Sequence, residues 1–162
     1  MLFVRTAVPA DFERVMEIYH SAQDFMIASG NPNQWRRAHP APDLIREDIA
    51  IGLCKVVCDE NGIHGAFAPI LGEDPTYLQI FGGAWLNDEP YVTIHRIAGD
   101  GVVHGIFRCA LDYCKTLSAN VRIDTHADNR VMQRLVSENG FQKCGTIYLK
   151  NGEPRIAFHL AM

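Results

Sequence analysis

His95 and His126 lie in or at the end of two short apolar runs, YVTIHRIA over 91–98 and VRIDTH over 121–126. Histidine changes charge near neutral pH, so either ring is a candidate to take a proton from a reacting group. Asp124 stands where it can orient such a ring; a strand histidine satisfied by its neighbours or by solvent is the plainer account of both. A different chemistry is offered by Gly99, Gly101 and Gly105, which follow the first run. Glycine allows a tight turn and close approach of the backbone to a ligand. The start of a helix leaves N–H groups unpaired and carries partial positive charge. Together these make an anion site, although the same glycines also serve an ordinary turn. Their spacing is not G-x-G-x-x-G, so a Rossmann-type dinucleotide site is a poor reading.

The elements that must position these residues follow from periodicity. Residues 2–6 read as a strand. Pro9 and Asp11 open a helix with Phe12, Val15, Ile18, Tyr19, Ala22, Phe25 and Met26 on one stripe, and Gly30 stops it. The stretch NPNQWRRAHPAP, with three prolines, predicts an irregular loop over 31–42, and a short helix follows at 43–52. Residues 53–59 and 63–71 flank Glu60-Asn61-Gly62 and predict a hairpin. Residues 76–82 read as a short strand or a loop over the core. Beyond the strand at 91–98, Ile106, Phe107, Ala110, Leu111, Cys114 and Leu117 predict a helix over 103–117. Residues 121–126 alternate as a strand. A helix over 129–139 turns Val131, Met132, Leu135 and Val136 inward and ends at Gly140, and residues 141–149 and 154–160 close a hairpin around Asn151-Gly152. This order predicts an α+β domain with a mixed sheet, occupying residues 1–162 as one unit.

Composition narrows the function. Hydrophobic residues make up 48% and charged residues 21%, as in globular proteins. The net charge of −4 argues against wrapping nucleic acid, while leaving room for a small phosphorylated ligand that needs only local donors. No apolar run approaches the roughly 20 residues that span a bilayer, and the opening MLFVRTAVPADF does not read as a signal peptide. No membrane association and a cytoplasmic location are therefore expected. The five cysteines form no CxxC pair and sit in apolar stretches, so they read as small hydrophobes and imply no metal.

The run IHRIAGDGVVHGIFRCALDYC resembles the acetyl-CoA-binding strand, pyrophosphate loop and helix of the Gcn5-related N-acetyltransferase (GNAT) family. The run HADNRVMQRLVSENGF is similar to that family's next segment, with Asn129, Gly140 and Phe141 at the matching positions, and VRTAVPADFERVMEIY fits its N-terminal opening. The resemblance covers essentially the whole chain. It implies an acyl-CoA N-acyltransferase-like fold, a mostly antiparallel mixed sheet of six to seven strands with about four helices. It also implies transfer of an acetyl group from acetyl-CoA to a primary amine of a small molecule or peptide by direct attack. The family's loop usually reads Gln or Arg, two residues, Gly, one residue, then Gly or Ala. Here Asp100 through Gly105 (DGVVHG) keeps only the last glycine, which marks a divergent member.

By the same resemblance, the backbone of Arg96, Ile97 and Ala98 pairs with the pantetheine arm. Gly101, Val102, Val103, His104, Gly105 and Ile106 cradle the pyrophosphate, and Asn129 contacts the arm, although capping the following helix explains Asn129 as well. Many relatives protonate the leaving thiolate with a tyrosine where this chain has Val136. His95 and His126 are the remaining candidates for proton transfer. The acceptor pocket is expected between the first helices and the sheet, with Tyr19, Gln34, Trp35, Phe81 and Trp85 as its wall; Trp35 packing over the first helix is an equal reading. Exposed strands in such domains often pair, which makes a homodimer conceivable. A non-catalytic acyl-CoA-binding or sensing module of the same fold is the alternative to an enzyme.

Overall fold

The computed structural model describes all of residues 1–162. Seven strands form one sheet: β1 Phe3–Thr6, β2 Lys55–Asp59, β3 Gly62–Leu71, β4 Val92–Gly99, β5 Asn120–Thr125, β6 Gln142–Tyr148 and β7 Pro154–Ala161, in the order β1-β2-β3-β4-β5-β7-β6. Four helices cover it: α1 Phe12–Ala28, α2 Pro42–Ala50, α3 Ile106–Leu117 and α4 Arg130–Glu138. All neighbouring strands are antiparallel except β4 and β5. The α+β class, the mixed sheet and the helix count match the expectation from sequence. No helix is long and apolar enough to cross a membrane.

Alternation along the strands divides the core between the two faces. Val57, Phe67, Val92 and Ile94 face α3 with its buried Phe107, Ala110, Leu111 and Cys114. Val56, Ala66 and Ala98 face α1 and α2 with Val15, Ile18, Tyr19, Ile45 and Ile49. Four of the five cysteines are buried, and burial pushes the Cys54 and Cys114 thiols up to about 12.

Several local expectations are corrected. The glycine turn extends further than the periodicity of α3 suggests: Gly105 adopts φ +91° as N-cap, so the helix starts at Ile106 rather than Val103. Residues 76–82 make no strand; Pro75–Tyr77 is one turn of 3-10 helix, and Phe81 makes a single bridge to Thr146. Phe25 and Val131, placed on inward stripes by period alone, are 56% and 49% exposed. Both line an open cavity between α1, α3 and α4.

The feature that builds the site is the junction of β4 and β5. Parallel pairing is confined to Val92–Val121 and Thr93–Arg122. Beyond Thr93, β4 stays bonded to β3 alone, leaving its other edge free. The β3–β4 ladder slips between Ala66 and Ala68, and opposite the slip Arg96 takes φ +53°. The buried Tyr19 hydroxyl donates to Arg96 O at 2.8 Å, and Arg96 Nη2 pairs with the buried Asp48 at 2.9 Å. These contacts hold a non-glycine residue in a conformation it rarely adopts.

Candidate active site

Two cavities open on either side of this gap, and they share Met26, Ile97, Asn129 and Met132. The first, about 480 Å³, runs between α1, α3 and α4 and is lined by Ala98, Gly99, Gly101, Val103, His104, Gly105, Ile106 and Phe107 among others. The N–H groups of Gly105, Ile106, Phe107 and Arg108 have no backbone acceptor, as the geometry of a helix start requires.

Asp100, the carboxylate that departs from the family loop, also lines this cavity, but its oxygens are occupied by other groups of the protein. Its Oδ2 pairs with Arg14 Nη2 at 2.9 Å and His64 Nδ1 at 2.8 Å, and its Oδ1 accepts the Val102 N–H at 2.9 Å. Burial opposes its ionisation, but the Val102 amide and His64 hold its pKa below the usual carboxylate range. His64 Nε2 lies 2.9 Å from Asp59. Flanked by two carboxylates that only accept, the ring donates from both nitrogens and is an imidazolium. Its hydrogen bonds to Asp100 and, less strongly, to Asp59 raise its pKa against the effect of burial. Val102 itself is 75% exposed and lies outside the cavity lining, its N–H already taken by Asp100.

The second cavity, about 430 Å³, lies between the 31–41 loop, β4, β5 and the β6–β7 turn. His95 lines it with Nε2 2.8 Å from Asp74 Oδ2. Burial disfavours the Asp74 carboxylate, yet hydrogen bonds from His95 and from both the hydroxyl and amide of Thr76 hold it at about 2. An ionised Asp74 accepts only, so Nε2 is the nitrogen that donates to it and Nδ1 is the one left over. That Nδ1 has no protein partner and is not sealed from the cavity. Asp124 also lines the cavity; it accepts from the Tyr77 hydroxyl at 2.6 Å and has no other hydrogen-bond partner. Burial raises its pKa, only partly offset by Tyr77. His39, at the rim beside Trp35, is pushed down to about 4 by burial and by neighbouring cations, and so is neutral.

The sequence candidates are therefore divided. His95, Gln34, Trp35 and Arg96 line the second cavity; Ala98, Gly101, Val103, His104, Gly105 and Ile106 line the first; Ile97 and Asn129 line both. His126 lines neither, because its Nδ1 accepts the Asp128 N–H at 3.0 Å in the turn before α4. Three candidate wall residues also fall elsewhere. Tyr19 is sealed beneath Arg96, Trp85 packs between Tyr77 and Arg122, and Phe81 stacks edge-on against Tyr148. Asn129 is a cap, its Oδ1 accepting the Met132 N–H at 3.0 Å, and its Nδ2 donates to Gln34 at 2.9 Å. Val136 is wholly buried, and no phenol or thiol lines either cavity. Sequence reasoning missed Asp74, although Asp-Pro-Thr-Tyr carries a signal: an Asp cap before a proline-started turn.

Neither a protein-family model nor a curated protein matches the sequence. Solved structures do. A GNAT-family acetyltransferase from Streptococcus agalactiae superposes with TM-score 0.89 at 27% identity, over 99% of this chain and 95% of the other. A PaiA N-acetyltransferase from Thermoplasma acidophilum, solved with coenzyme A, gives 0.69 at 12% identity over 100% and 99% of the two chains. A phosphinothricin acetyltransferase from Sinorhizobium meliloti, solved with acetyl-CoA, gives 0.65 at 15% identity over 99% and 88%.

Proposed function

The chain belongs to the Gcn5-related N-acetyltransferase family, and from that premise we propose that it is an active enzyme transferring acetyl from acetyl-CoA to a primary amine. The observation that carries this reading is the meeting of two unlike cavities at the free edge of β4. One is lined by helix-start amides, and the other holds a histidine backed by an ionised aspartate.

The residues present fit the donor. The free N–H groups of Gly105 through Arg108 suit a pyrophosphate, because they depend on backbone rather than side-chain identity. Asp100 lines the same cavity, but its charge is offset by Arg14 and His64. The unpaired edge of β4 suits an amide-bearing arm. When bound, acetyl-CoA supplies an acetyl group activated as a thioester.

On the acceptor side, a lysine-like ammonium, with a pKa near 10.4, must lose a proton before the nitrogen can attack. His95 Nδ1 is the available base, and Asp74 fixes its tautomer and stabilises the charge it gains. Transfer exchanges one C–S bond for one C–N bond. Of the two protons the ammonium gives up, one leaves through His95 and the other goes to the thiolate sulfur. With Val136 buried, no side chain at that position supplies the latter.

Calorimetric titration with acetyl-CoA, followed by thiol release against an amine panel, tests the reading. Micromolar binding, near 8 kcal/mol, with amine-dependent thiol release is expected. Binding with no release for any amine would leave the acyl-CoA-sensing alternative, which the missing phenol favours.

A further inference from the structure

One side-chain oxygen near the meeting of the two cavities gathers four donors, and the other half of the same amide is left open. Gln34 Oε1 accepts from Asn31 Nδ2 at 3.0 Å, Thr125 Oγ1 at 3.3 Å, the His126 N–H at 3.4 Å and Asn129 Nδ2 at 2.9 Å. These donors come from the loop after α1, from the end of β5 and from the N-cap of α4. Together they fix which way round the amide lies. A main-chain N–H can only donate, and Asn129 must present Nδ2 because its Oδ1 takes the Met132 N–H. The next residue, Trp35, is buried and packs edge-on against Tyr19 and His39, which anchors this part of the loop. Gln34 lines the acceptor cavity, and its Nε2, with two N–H groups, has no protein acceptor and is not sealed beneath other atoms.

Resting on the acetyl-transfer reading above, we propose that Gln34 is a catalytic residue whose Nε2 donates to the thioester carbonyl oxygen and stabilises the negative charge that builds there as the amine attacks. Position selects this group. Gln34 is bonded directly to Asn129, one of the four residues that the cavities share, and so stands beside the point where donor and acceptor must meet. Chemistry selects it as well. An ammonium presents only N–H donors, and once a proton is lost its lone pair is committed to the attack. The thioester presents an oxygen whose demand for donors grows along the reaction. An amide held in place before the substrates arrive needs no reorganisation at that moment, which is what makes such a donor effective. Donors converging on Oε1 also polarise the amide and strengthen donation from Nε2.

Gln34→Glu separates this role from a structural one, because it keeps an oxygen for the four donors and puts a second oxygen in place of Nε2. It should hold Tm and still bind acetyl-CoA by calorimetry, while kcat falls by about 10²–10³-fold, the effect of removing one such donor. A second readout needs no turnover: the infrared carbonyl stretch of acetyl-CoA, isotope-labelled at the carbonyl carbon and bound without an amine. The band should lie at lower wavenumber on the wild type than on Gln34→Glu, since a donated hydrogen bond weakens the C=O bond. Wild-type kcat in Gln34→Glu, or one band position in both proteins, overturns the proposal and leaves Gln34 as a tie between the loop and α4. A band that differs while no amine reacts keeps the contact but overturns the transfer reading beneath it. Absence of acetyl-CoA binding to the wild type overturns both.

Discussion

The two cavities share Ile97 and Asn129 but are built from different materials. The donor side draws on α1, on residues 97–108 and on α4, and offers mainly main-chain donors and apolar side chains. The acceptor side is assembled from the loop after α1, the turn before β4, two diverging strands and the β6–β7 turn, and offers paired charges. Backbone recognition tolerates changes of side chain. That is why the loop keeps its open helix start although Asp100 replaces the usual residue: the carboxylate is tied inward by Arg14 and His64. Side-chain recognition has no such tolerance, since the groups in the acceptor cavity are set by particular side-chain partners. The acceptor side should thus lose turnover through single polar substitutions, and the donor side should lose affinity only through backbone changes.

His95→Ala tests that contrast most severely. Loss of a positioned proton acceptor should lower kcat by about 10²–10⁴-fold, with acetyl-CoA affinity within twofold. Asp74→Asn should lower kcat less and keep KM for the amine, because the ring remains but its tautomer and charge are no longer fixed. Wild-type turnover in His95→Ala removes the ring from the mechanism.

The donor side is broken through Gly105. Its φ of +91° is one that side chains rarely adopt, so a side chain there is strained although its Cβ would meet only an ordinary contact, Leu2 at 3.6 Å. Gly105→Val should therefore displace the loop and weaken acetyl-CoA at least tenfold, given strain of about 1–3 kcal/mol at such positions. Circular dichroism should show the fold retained. Unchanged affinity would place the donor elsewhere.

Asn129 lies on the boundary. Asn129→Ala removes the cap of α4 and should cost about 1 kcal/mol, a fall in Tm of about 2–4 °C for a chain of this size. Asn129→Asp keeps the accepting oxygen for Met132 but sets its other oxygen against Gln34 Oε1, so it should recover only part of that Tm. If Nδ2 also contacts the donor, both variants weaken acetyl-CoA about fivefold, as one neutral hydrogen bond would. Wild-type affinity in Asn129→Asp makes the residue a cap only.

The same division explains what could be read from the sequence. The strands, α1, α3, α4 and the glycine turn rest on local periodicity and local dihedral needs, so residues 97–106 were legible as one unit. The acceptor cavity depends on pairs such as Asp74–His95 and Tyr77–Asp124, separated by 21 and 47 positions. No local pattern encodes those distances. Aromatic residues misled for the same reason: Tyr19, Phe81 and Trp85 satisfy rings and carbonyls elsewhere, whereas Trp35, in the proline-containing loop, does reach the cavity. His126 misled because a histidine at a strand end is chemically the same as one at a turn, and only the turn geometry shows its Nδ1 committed to Asp128.

The smallest effect concerns how firmly the donor loop is held. His64 is charged between Asp100 and Asp59, and its folded pKa lies above the ordinary 6.5. A group whose pKa is raised on folding contributes stability fully below its unfolded value and loses it as pH rises through the folded one. The difference in denaturation midpoint between the wild type and His64→Gln should thus be largest at pH 6 and shrink towards pH 8.5. It should remain small throughout, because burial of the ring offsets part of what the two carboxylates contribute. Acetyl-CoA affinity should soften over the same interval, since the deprotonated ring loosens its hold on Asp100 and leaves Arg14 as that carboxylate's cationic tether. A difference that stays flat or grows with pH would mean that His64 is neutral. In that case Arg14 alone balances Asp100, and the loop's tolerance of the carboxylate rests on one half-buried ion pair rather than on a charged chain.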